Sequence, residues 1–212
     1  MHVIIYVRYV YEVVYVYLNK EFELYVKSEN GILLYSDMIS LGLGRYHIKE
    51  LEKDGTIEKV ERGIYCHKDY TSDTMKIYQK MNNKMIYSNE TALYLHDLVD
   101  RYPMVYTATT ISGYHLREKE NLKLYYVKEE LWDIGKMEIK DPWGNILNVY
   151  DMERTICDIV KNQKKIELQV YLQAIKNYFQ RKDKNLRKLA RYAKKMGIQD
   201  KIRDIVYMHM EP

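Results

Sequence analysis

Cysteine is nearly absent from this sequence: Cys66 and Cys157, far apart in 212 residues, cannot form the dense framework of bridges that holds a small secreted domain together. A reducing, cytoplasmic setting is the expectation that follows. No CxxC or HExxH spacing occurs, and the adjacent Cys66-His67 is poor geometry for two ligands on one metal, so neither a metal nor another cofactor is expected. The chain also lacks a Gly-Lys-Ser/Thr phosphate loop, a Gly-x-Ser-x-Gly elbow, and any Gly-Ser dipeptide with which a nucleotidyltransferase site would begin. One acid-x-Lys match, Glu138-Ile139-Lys140, is of a kind that a chain this rich in both charges yields by chance. No catalytic centre is expected. Phe and Trp are scarce, two of each, which leaves 23 Tyr to fill most aromatic core positions, so their number is no sign of base stacking.

Apolar runs long enough to span a membrane, internal repeats and low-complexity stretches are missing as well. Residues 1–18 are rich in Val, Ile and Tyr, but Arg8 and Glu12 break the run, no positively charged head precedes it and no small-residue cleavage site follows. It reads neither as a signal nor as a span, and no membrane partner is expected. The composition suits a strand without fixing its register, so residues 1–18 are read as an extension of unknown role. With 47% hydrophobic and 30% charged residues, the chain has the make-up of a globular protein. Its net charge of +4 hides an asymmetry. From Lys161 onward, fourteen Lys and Arg face five Asp and Glu, whereas residues 1–160 carry 20 against 25. A basic C-terminal stretch suits a polyanion or an acidic partner, and equally a solvated surface.

The pattern along the chain predicts an α+β protein: an N-terminal winged helix-turn-helix over residues 19–70, then a mixed α/β domain over 71–212 that ends in a helical, basic C-terminal region. A helix opening at Lys20 stops at Asn30-Gly31, and a short apolar piece follows at 32–35. Ser36 stands where an N-cap belongs, before a helix at 37–41. The turn Leu41-Gly42-Leu43-Gly44 leads to a helix from Arg45 that Gly55 ends. Strands at 56–60 and 64–66 flank the tight turn Glu61-Arg62-Gly63. Farther on, Ser88 caps a helix reaching residue 99, and strands are expected at 105–109, 122–127, 136–140 and 146–149. Helices are expected at 152–160, 166–179, 185–196 and 200–208.

A helix-turn-helix holds its second helix clear of the body so that it can enter a major groove. Gly42 supplies the backbone freedom at the turn, Leu41 and Leu43 pin the two helices, and Ile48 and Leu51 anchor the second. Arg45, Lys49 and Lys53 then fall four apart on the outward face, with Tyr46 and Glu50 beside them. That face offers a guanidinium for guanine edges, ammonium groups for phosphates and a carboxylate able to accept from cytosine, while Lys59 and Arg62 stand at the wing. Against this, residues 19–70 hold eight basic and ten acidic side chains, and similar three-helix segments serve as protein-interaction modules. Both partners, double-stranded DNA and protein, stay open on the residues alone. On the helix at 185–196, Lys184, Arg187, Lys188, Arg191, Lys194 and Lys195 share one face, for phosphates, a partner or water. Arg154 and Asp158 are read as an ordinary i,i+4 helix pair.

Several of these segments carry a resemblance. Asn30-Gly31-Ile32-Leu33, Leu41-Gly42-Leu43, Leu51, Asp54-Gly55-Thr56-Ile57 and Arg62-Gly63-Ile64-Tyr65 resemble the N-terminal domain of the AbiEi family of abortive-infection antitoxins. Ile86-Tyr87-Ser88-Asn89-Glu90-Thr91-Ala92-Leu93-Tyr94-Leu95-His96-Asp97-Leu98 resembles that family's central serine-to-leucine helix. Asp151-Met152-Glu153-Arg154-Thr155-Ile156-Cys157-Asp158 resembles its Glu-Arg-Thr segment with the Asp that follows. The similarity covers about residues 20–212, and residues 1–18 depart from the pattern. It implies a phage-defence antitoxin of a type IV toxin-antitoxin system, encoded beside a nucleotidyltransferase toxin. The winged domain would repress the shared promoter, and the C-terminal domain would be needed to neutralise the toxin without a stable complex. The other reading is a transcriptional regulator or interaction module unrelated to any toxin.

Overall fold

A computed structural model of the chain describes residues 20–114, 116 and 119–210. The extension expected at residues 1–18 lies outside the described residues. Two compact units meet in sequence between Met81 and Asn82.

In the first unit, helix α1 (residues 20–28) places Phe22 and Val26 inward, four residues and about one turn apart. It stops because Asn30 takes a positive φ of 50°, which lets Gly31 N–H bond Val26 O at 2.8 Å and satisfies a carbonyl at the helix end. The chain then runs β1 (Ile32–Leu34), α2 (Tyr35–Ser40), α3 (Arg45–Lys53), β2 (Ile57–Glu61), β3 (Ile64–His67) and α4 (Thr74–Met81). The three strands form an antiparallel sheet in the order β1-β3-β2, with Ile32 opposite Cys66 and Ile57 opposite His67. Val26, Leu33, Met38, Ile48 and Ile57 meet in the core beneath. Ser36 is not the cap of α2. Tyr35 N–H is held by Gly63 O at 2.9 Å, so the helix opens directly off β1 with Leu34 at its cap position and no side-chain bond there. Helix α4, absent from the sequence reading, contacts β1 and β3, and Lys80 Nζ meets Glu29 Oε2 at 2.8 Å. For that reason the division between the units falls after Met81, later than the expected boundary at 70.

The second unit contains β4 (Ile86–Tyr87), α5 (Asn89–Leu95), β5 (Tyr106–Ile111), β6 (Leu122–Val127), α6 (Glu129–Trp132), β7 (Lys136–Lys140), β8 (Ile146–Tyr150), α7 (Met152–Lys161), α8 (Leu168–Gln180), α9 (Leu186–Lys195) and α10 (Gln199–Met210). A 3₁₀ turn, Gln163–Lys165, joins α7 to α8. The sheet has the order β6-β5-β4-β8-β7, antiparallel at β4–β5 and β7–β8 and parallel at β5–β6 and β4–β8. Helix α5 ends four residues short of the expected 99, because Asp97 turns to a φ of 55° and Leu98 N–H bonds Leu93 O at 2.9 Å. The pattern of apolar residues continues to Val99 only because Leu98 and Val99 are buried beyond the turn. The architecture is α+β, as expected. No helix of the described residues is long and apolar enough to cross a membrane.

Candidate nucleic-acid interface

Helix α3 is placed by its approach. Gly42, at a φ of 91°, allows Leu43 N–H to bond Met38 O at 3.1 Å, closing α2 and redirecting the chain. Leu43 is buried on one side of the bend, Leu41 packs partly against the same core, and Ile48 is 2% exposed. Behind them, Tyr25 OH donates to Asp37 Oδ2 at 2.9 Å and accepts from Leu34 N–H at 3.0 Å, so one phenol fixes α1, β1 and α2 together. Burial, reinforced by Asp37, raises that phenol above its usual pKa, which keeps it the donor at neutral pH.

With Ile48 buried and Leu51 half-buried, the rest of α3 turns outward. Arg45, Tyr46, Lys49, Glu50 and Lys53 are all exposed, Tyr46 to 71%. Arg45, Lys49 and Lys53 form no ion pair among the described residues. Helix α3 begins at Gly44 without a side-chain cap and with no acid in its first turn, which leaves its end electropositive. Glu52 sits near Tyr65 and, after burial, helps to raise that phenol's pKa. Lys59 on β2 and Arg62 in the β2–β3 turn are exposed as well. All seven residues expected to serve DNA are therefore on the surface of the first unit, five of them on α3.

The basic face of α9 is divided. Arg187, Arg191, Lys194 and Lys195 are exposed, but Lys188 is not available to a partner. Its Nζ lies 3.0 Å from Asp151 Oδ2 and 3.1 Å from Glu153 Oε2. Burial opposes that charge, yet the two carboxylates more than offset it and raise its pKa. Lys184 is half-buried and donates to Arg181 O at 2.9 Å. Lys188 is drawn inward because it lies one turn before Tyr192, at the edge of the buried face, and Tyr192 OH also donates to Asp151 Oδ2 at 3.1 Å.

The segment read as an ordinary helix pair is the buried centre of the second unit. Arg154 is 0% exposed; its Nε donates to Asp158 Oδ1 at 3.1 Å and Oδ2 at 3.2 Å, and its Nη1 to Leu131 O at 2.6 Å and Ile134 O at 2.8 Å. The guanidinium also stacks over the Tyr150 ring at 4.1 Å. Asp151 caps α7, Oδ1 accepting from Arg154 N–H at 2.8 Å, and Glu153 Oε1 accepts from Asn185 N–H at 3.0 Å. The sequence did hold a signal for this burial. Helix α7 carries Ile156, Cys157, Ile159 and Val160 on several sides, and a helix apolar around most of its girth is a core helix whose charges must be paired inside. Among the described residues no three His, Cys, Asp or Glu side chains come together so as to hold a metal ion.

His96, after α5, accompanies this cluster, its Nε2 2.6 Å from Tyr150 O, so the neutral ring donates there. Burial lowers its pKa from 6.5 even though Tyr150 O and Asp151 favour the charged form. The unfolded chain thus takes up a proton that folded His96 refuses, and stability falls as pH drops below 6.5. Urea unfolding between pH 7.5 and 5.5 is expected to show a steeper loss for the native chain than for His96→Gln; parallel pH slopes would remove this role from His96.

Neither the family models nor the curated proteins compared with this chain match it. Solved structures do match it in fold. The RV2827C protein of Mycobacterium tuberculosis superposes with a TM-score of 0.60 over 85% of this chain and 73% of its own, at 12% sequence identity. At that identity the likeness concerns fold alone.

Proposed function

We propose that the first unit is a winged helix-turn-helix that binds double-stranded DNA through α3, and that the chain is an AbiEi-type antitoxin repressing its own promoter. The observation that carries the DNA reading is the exposed face of α3, where Arg45, Lys49 and Lys53 stand without ion-pair partners among the described residues, beside Tyr46 and Glu50. The order helix, strand, helix, helix and antiparallel hairpin supports it, since α2 and α3 meet at the Gly42 bend and the β2–β3 turn brings Arg62 to the surface. The uncapped start of α3 favours an approaching phosphate. In this reading Arg45 reads a guanine edge, Lys49, Lys53 and Lys59 position the backbone, and Arg62 supports the wing. The antitoxin role rests on the three sequence segments that resemble the AbiEi family. The activity is binding, directed at the operator and against a nucleotidyltransferase toxin, without a stable complex.

A gel-shift titration with the DNA upstream of the gene tests the first part. Tighter binding than to scrambled DNA is expected, with Arg45→Ala costing about 1–3 kcal/mol on the operator only. Lys49→Ala is expected to weaken binding to both DNAs and to flatten the salt dependence by about one ion. Equal affinity for both DNAs, unchanged in these variants, defeats the repressor reading. Co-expression with the product of the neighbouring gene tests the second part: an antitoxin restores growth against a nucleotidyltransferase toxin, whereas a regulator of another kind does not.

A further inference from the structure

The second unit holds a cleft of about 300 Å³, at the small end of ligand sites, which span roughly 300–1,000 Å³. It is walled by α5, the segment 99–105, β5, β6 and the start of α8, and four charges line it, Glu90 and Lys123 together with Arg101 and Glu167. Glu90 Oε2 is shut off from water and has no hydrogen-bond partner. Lys123 Nζ has one long bond, 3.5 Å to Lys165 O, lies 5.2 Å from the centre of the Tyr125 ring, and interacts with the Tyr125 hydroxyl beside it. Neither residue joins an ion pair among the described residues, although each is near enough to act on the other through the field. A half-buried carboxylate with one oxygen shut off from water and unbonded, facing an ammonium that does not reach it, is a place where a molecule answering both charges gains hydrogen bonds.

The other charges of the cleft do not compete. Arg101 and Glu167 satisfy each other at its rim, Nη1 to Oε2 at 2.8 Å. Its remaining walls include Val99, Val105 and Val170, and Met104, 80% exposed, stands at the mouth.

We propose that this cleft binds a small zwitterion of the α-amino-acid class with an apolar side chain, its ammonium on Glu90, its carboxylate on Lys123 and its side chain against the three valines. A nucleotide fits poorly, because Glu90 and Glu167 both line the cleft and repel phosphate beside Lys123 and Arg101. A simple cation or a simple anion fits no better, since each meets one charge of its own sign. The site is separate from the DNA-binding reading of the first unit and does not depend on it.

Isothermal titration of the full chain with L-leucine, L-methionine and L-phenylalanine tests the proposal. Saturable one-to-one binding of at least one of them is expected. N-acetyl-leucine, which lacks the ammonium, and leucinamide, which lacks the carboxylate, are each expected to bind about tenfold or more weakly than leucine. Glu90→Gln and Lys123→Met are expected to lose a similar factor, with far-UV circular dichroism and melting temperature checked for each. Should a variant fail to fold, the two leucine derivatives probe the same contacts on the native chain. No binding of any amino acid at millimolar concentration overturns the proposal, as does equal binding of leucine and both derivatives. Preferential binding of AMP or GMP at the cleft overturns it also.

Discussion

Replacing Arg154 with methionine is expected to destabilise the second unit by about 3–5 kcal/mol, among the largest effects a single substitution produces. Asp158 would be left in the interior without the guanidinium that pairs with it, and Leu131 O and Ile134 O would lose a donor. Pairing the change with Asp158→Leu removes the stranded charge and is expected to recover a large part of the loss, since a buried ion pair is often replaceable by apolar residues of similar volume. Urea unfolding followed by tryptophan fluorescence reads this directly, because Trp132 and Trp143 both belong to the second unit. If Arg154→Met alone leaves the midpoint unchanged, the guanidinium is not the element that holds α7 to the α6–β7 connection.

A comparable loss is expected in the first unit from Gly31→Ala. At a φ of 76° an added Cβ would fall 2.3 Å from both Cβ and Cγ of Tyr70. Those atoms sit at the root of the side chain, so rotation cannot clear them, and the segment after β3 would have to move. Tyr70 is itself tied there, its N–H bonding His67 O at 3.0 Å while His67 N–H bonds Gly31 O at 2.8 Å. Backbone strain and overpacking together are expected to cost roughly 2–5 kcal/mol. Gly55→Ala is the matched comparison: its φ is 77° but nothing lies within 4 Å of the new atom, so the backbone part alone remains, about 1–2 kcal/mol. Hydrogen exchange of the β1 and β3 amides distinguishes the two, and equal protection in both variants would show that Tyr70 yields freely.

Where structure follows from local chemistry, the sequence was readable. Asn30-Gly31 and Gly42 close α1 and α2 by hydrogen bonds within a few residues of each other, and the strand and helix limits nearby agree within a residue or two. The early end of α5 is a local turn at Asp97, but the other failures involve partners distant in sequence. Ser36 has the chemistry of a cap, but Gly63 reaches Tyr35 first. Ile86 and Tyr87 look like the approach to a helix, whereas pairing with Thr109 and Ala108 makes them a strand. Lys188 and Arg187 are indistinguishable as letters on a basic helix; only the position of Asp151 and Glu153 separates a tethered ammonium from a free guanidinium. The α3 face was legible because exposure there is set by Ile48 and Leu51 on the same helix, while Glu90 and Lys123 carry no local pattern at all.

Two-residue β4 sits in the middle of the five-stranded sheet, with β5 on one side and β8 on the other. A ribosome delivers β5 by residue 111 but completes β8 only at residue 150. At about 5–20 residues per second, the nascent sheet spends roughly 2–8 s with one flank of its innermost strand bare. During that interval the half-built sheet offers other chains a vacant place to pair, a hazard that ends when the last hairpin docks.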